Sequence, residues 1–90
     1  MVRQGEAQLL SLTMNEILSI GLSIEPPAAG VIPVIHVYGS MYYRENGKEK
    51  RFAPEQAVKY ENADSWLEAA TVAVVMLQQI MEFAAEVKTN

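Results

Sequence analysis

The sequence predicts one α+β domain: an N-terminal helix, a three-stranded, mostly antiparallel meander, and a long C-terminal helix packed on the sheet. Three observations carry this. Asn46-Gly47 lies between two runs of strand-forming residues, the strongest hairpin signal in the chain. Residues 65–87 are apolar at helical spacing and begin with a serine answered by a glutamate three residues on. Ninety residues accommodate one domain, 1–90, and no more.

The first element is read as a helix over 6–20. At 100° per residue, Ala7, Leu9, Leu10, Met14, Ile17, Leu18 and Ile20 share one half of the wheel, with Leu12 the misfit. Gly21 stands where a helix commonly stops. A strand is the rival, because Leu18, Ile20, Leu22 and Ile24 alternate with Ser19, Gly21 and Ser23. A helix to about residue 20, followed by a short strand over 22–25, satisfies both patterns.

Pro26-Pro27-Ala28-Ala29-Gly30 is a stiff loop with a flexible end. Residues 31–44, rich in β-branched and aromatic side chains, form the clearest strand. A two-residue type I′ turn at Asn46-Gly47 sets Glu45 opposite Lys48, Arg44 opposite Glu49 and Met41 opposite Phe52. Ile35, Val37, Gly39, Met41 and Tyr43 then share the core face with Phe52. His36, Tyr38, Ser40, Tyr42 and Arg44 share the wet face with Arg51. The return strand should stop near Ala53, where Pro54 ends the pairing, and 54–60 reads as a helical turn with proline first. That leaves residues 31–38 short of a partner, an edge open to another chain.

In the C-terminal helix, a serine–glutamate capping box at Ser65 and Glu68 marks the start. Its apolar arc spans about 240°, whereas one sheet needs about 100–140°. A second surface therefore needs cover, and a homodimer is expected. Its interface is placed on Ala69, Ala73, Met76, Ile80 and Phe83, where small residues let a helix approach closely. The overhanging strand edge is the lesser route to the same dimer.

Composition narrows the chemistry. There is no cysteine, so no disulfide, and His36 is the single imidazole, too few for a structural zinc site. A net charge of −4 argues against binding phosphate backbones, so no nucleic-acid partner is expected. The apolar run 69–77 is far shorter than the ~20 residues of a membrane span and reads as a core helix. With no signal-like segment at 1–8, a cytoplasmic location and no membrane partner are expected.

No catalytic, metal or cofactor-binding constellation is expected. His36 and Ser40 share a strand face but lie about 13 Å apart, too far to touch. Glu82 and Glu86 read as a solvated helix face rather than a metal site. The candidate partner-binding cluster is His36, Tyr38, Tyr42, Arg44 and Arg51, since tyrosine and arginine combine large area with directed donors. The expected function is a soluble protein-interaction module, an accessory, adaptor or inhibitory protein of bacterial or viral origin. It would act by binding rather than catalysis. The alternative is a small-ligand sensor with a pocket between the long helix and the sheet.

Overall fold

A computed structural model of the chain describes residues 15–30 and 32–89. Four strands precede one helix: β1 Glu16–Glu25, β2 Val34–Glu45, β3 Lys48–Phe52, β4 Glu55–Lys59 and α1 Asp64–Thr89. β2 is central. β1 pairs antiparallel along one side of it, and β3 and β4 pair antiparallel, one after the other, along the opposite side. The long C-terminal helix lies on one face of this sheet, the α+β layout that the sequence predicts.

The β2–β3 hairpin has the register expected from its turn. Met41 faces Phe52, Tyr42 faces Arg51, Arg44 faces Glu49 and Glu45 faces Lys48. Asn46 and Gly47 have φ of 54° and 80°, the two positive values that a type I′ turn requires. Near the tip, Lys50 Nζ donates to Glu45 Oε1 at 2.9 Å. This bond and the carboxylate's charge hold the Lys50 ammonium above its ordinary pKa.

Residues 54–60 are not a helical turn. Residues 55–59 form β4, with Val34 opposite Lys59 and Tyr38 opposite Glu55. The strand resumes because Pro54 lacks only a donor; its carbonyl still accepts from the Gly39 N–H at 2.9 Å. Beyond β4, Tyr60 N–H donates to the Pro33 carbonyl at 2.8 Å. Within β2 the expected open edge is therefore paired: β4 lies against Val34–Tyr38 on one side, and Glu25, Ile24 and Ser23 of β1 face His36, Val37 and Tyr38 on the other.

The N-terminal helix is not seen. Residues 16–20 belong to β1, and 6–14 lie outside the described residues. The helical spacing has a structural origin. A bulge between Ile17 and Ser19 adds a residue, so Ile17, opposite Tyr43, and Ile20, opposite Met41, share the core face although three apart. The strand is also longer than the expected 22–25.

The core is a single layer between β2 and α1. Ile35, Val37 and Met41 from β2 and Val58 from β4 meet Ala69, Ala73, Met76, Ile80, Ala84 and Val87. Tyr43, Phe52 and Phe83 close one end, with Phe83 stacked on Phe52 at 4.6 Å and edge-on to Tyr43 at 5.4 Å. At Gly39 a Cβ would lie 2.7 Å from Ile80 Cδ1 and 3.0 Å from Met76 Sδ, so the helix rests directly on bare backbone there.

Two expectations about α1 change. Helical structure begins at Asp64, whose N–H is capped by Asn62 Oδ1 at 2.9 Å. Ser65 is not the cap; its buried hydroxyl turns back to accept from the Glu61 and Asn62 N–H groups at 2.9 and 3.3 Å. The strip expected at a dimer interface is also relocated. Ala69, Ala73, Met76 and Ile80 are buried against the chain's own sheet, and Phe83 packs on Phe52. These five side chains cover the sheet because it is the nearest apolar surface, and they are not available to a second helix.

By length and composition Asp64–Lys88 also passes for a membrane span. Its Ala69–Val87 stripe lies on the sheet, and 28% of the apolar window is buried.

Candidate binding face

The helix covers one face of the sheet, and among the described residues no element packs on the other. Alternation along β2 sends His36, Tyr38, Ser40, Tyr42 and Arg44 to the uncovered face. The flanking strands add Arg51 opposite Tyr42, Gly21 opposite Ser40 and Ser23 opposite Tyr38. All five residues expected to bind a partner are thus brought onto one surface.

They fall into three groups. His36 and Tyr38 stack, with ring centroids 5.6 Å apart and planes 13° from parallel. The Arg51 guanidinium lies over the Tyr42 ring, 5.5 Å from its centroid. Tyr42 stays about half exposed, and Arg51 is itself exposed. Arg44 is engaged differently: it is ion-paired with Glu16 Oε1 and lies 3.5 Å from Glu49 Oε1. It ties β1 to the hairpin rather than presenting a free charge.

Between the two aromatic groups lies a depression of ≈270 Å³, lined by Gly21, Ser23, Tyr38, Ser40 and Arg51 among others. Its floor is low because Gly21 has no side chain and Ser40 opposite has a short one. A Cβ on Gly21 would stand 3.2 Å from Ser40 Oγ, so even a methyl group begins to fill it. Gly21 and Ser23 are site residues that the sequence reading missed. Their signal was the 18–24 alternation, which only a longer β1 would have carried into register with β2.

On the covered face, a second hollow of ≈590 Å³ opens between β1 and the last turns of α1. Ile17, Ile20, Met81, Ala84 and Ala85 form its walls, with Glu16 and Lys88 at the end.

Among the described residues, no three His, Cys, Asp or Glu side chains converge as a metal site would require. No family model, curated protein or solved structure matches this chain.

Proposed function

We propose that this chain is a small protein-interaction module that grips a segment of another protein on the uncovered face of its sheet. It acts by binding rather than catalysis, with no cofactor, nucleic acid or membrane. One observation carries the reading: a hollow set between two preformed aromatic groups, His36–Tyr38 and Tyr42–Arg51. Rings already stacked lose little freedom on binding, which favours affinity. At ≈270 Å³ the hollow is below the ~300 Å³ where small-ligand sites begin, but it suits one side chain of a docked polypeptide. The expected segment offers an apolar or aromatic side chain to the hollow and a carboxylate to Arg51.

The test is differential capture. The parent chain and the Tyr42→Ala and Gly21→Val variants serve as baits in extracts of the native host, with quantitative mass spectrometry as readout. A protein held by the parent and lost by both variants, with circular dichroism unchanged, supports the proposal. Equal recovery on all three baits would refute it.

The alternative, a sensor for a small ligand, draws on the ≈590 Å³ hollow beside α1, which is large enough and mostly apolar. An apolar fluorophore that brightens on the parent and not on Ala85→Trp would favour it.

A further inference from the structure

The two edges of the sheet differ. The β3–β4 edge carries Lys48, Glu49, Lys50 and Arg51, then breaks at Pro54. Charges and a proline are devices that stop a sheet from adding strands. The β1 edge carries no charge from Ile17 to Ile24 and no proline. Its register is regular from Ser19 to Glu25, past the bulge.

Its free hydrogen-bonding groups can be assigned. Gly39 N–H points to Pro54, so odd-numbered β2 residues bond toward β3 and β4, and even-numbered ones toward β1. The β1 residues facing those even partners are Ser19, Gly21, Ser23 and Glu25. The N–H and C=O groups of Ile20, Leu22 and Ile24 therefore point outward. Their side chains lie on the helix side, opposite Met41, Gly39 and Val37, yet stay about two-fifths exposed. Across the groove, Leu77 and Met81 on α1 are exposed as well. Among the described residues, a strand edge with no partner and an apolar trough thus run side by side.

We infer that a second copy of this chain docks here, β1 against β1, about a two-fold axis normal to the sheet. Three features favour this occupant. A register centred on Gly21 or Leu22 sets apolar residues of one copy against apolar residues of the other. Glu25, the one charge in 19–25, never meets itself in those registers. The spacing also fits. β2 of one copy would lie three strand separations from β2 of the other, about 14 Å. Two helices about 10–12 Å across then sit side by side, with Leu77 and Met81 filling the seam. Finally, a tight reversal just before β1 would fall on Ser11-Leu12-Thr13-Met14, where serine is the single residue of the strongly turn-forming kinds. Asn15 is already engaged, donating to the Val87 carbonyl and accepting from Asn46 N–H.

Light scattering on the full chain at micromolar concentration tests this. The expected mass is twice the 10.0 kDa of one chain. Leu22→Lys and Met81→Lys, one on the strand and one on the helix, should each halve it while circular dichroism stays folded. Gln56→Lys on the opposite edge should leave it unchanged. A monomeric parent, as when residues 1–14 fill the trough, would overturn the inference. So would a dimer insensitive to both trough variants, or one dissolved by Gln56→Lys. Leu22 also borders the hollow on the uncovered face, whereas Met81 lies on the helix side away from it, so the Met81→Lys result and the capture result stand apart.

Discussion

The Gly39 N–H donates to the Pro54 carbonyl at 2.9 Å, at the point where the third strand breaks into β3 and β4. The same glycine lets the helix rest on the sheet. A Cβ there would lie 2.7 Å from Ile80 Cδ1, 3.0 Å from Met76 Sδ and 3.2 Å from Pro54 Cγ. Both helix atoms are ends of flexible side chains, so one methyl group is partly absorbed. Gly39→Ala should destabilise by about 1 kcal/mol and Gly39→Val by about 3 kcal/mol. Urea unfolding measures both; equal stability of the three chains would refute the contact.

Neighbouring alanines on α1 should respond oppositely to the same charge. Ala73 is 4 % exposed beneath the sheet, whereas Ala70 is exposed. Ala73→Glu buries a carboxylate without a partner and should cost about 3 kcal/mol or more, enough to unfold a marginal domain. Ala70→Glu should leave the thermal midpoint within a few degrees. Dissociation of Ala73→Glu into folded monomers, rather than unfolding, would place Ala73 at an interface instead.

Ser65 joins the loop after β4 to the first turn of α1. Its hydroxyl is the acceptor for two backbone donors, Glu61 N–H and Asn62 N–H. Ser65→Ala leaves both without it and should lower stability by about 1–3 kcal/mol. Glu68→Ala, which a capping box would make comparably harmful, should be nearly neutral. Chemical denaturation ranks the pair, and a larger loss for Glu68→Ala would restore the box.

At the hairpin tip, Gly47 has φ of 80°. Gly47→Ala should cost about 1–2 kcal/mol because a Cβ crowds the following carbonyl in that region. Asn46→Gly should change little, since glycine reaches positive φ freely. Thermal melts that show Gly47→Ala no less stable than the parent would argue against a type I′ turn.

The elements that the sequence revealed are those ruled by local chemistry. Asn46-Gly47 fixes a turn, a turn fixes a register, and the register sorts Met41 and Phe52 from Tyr42 and Arg51. That sorting gave the core face and the uncovered aromatic face alike. The misreadings have long-range causes. Pro54 looks like an end because it lacks a donor, but whether its carbonyl finds a partner depends on Gly39, fifteen residues earlier. Ile17 and Ile20 look helical because a bulge mimics helical spacing. The apolar arc of α1 is wider than one sheet needs, and composition does not say which part of it meets the sheet. Sheet contact went to the alanine-rich strip, where the helix can approach Gly39, and Leu77 and Met81 were left flanking β1.

Within the described residues, β1, β3 and β4 each hydrogen-bond to β2 and not to one another. Fraying at either margin therefore leaves β2 gripped from the other side and from the helix above. Its amides should carry two separate clocks. Those of Ile35, Val37, Gly39 and Met41 report release of β3 and β4, and those of His36, Tyr38, Ser40 and Tyr42 report release of β1. Hydrogen exchange along this one strand, read by odd and even position, separates the opening of the two margins, and the slower set bounds the free energy of losing the whole fold.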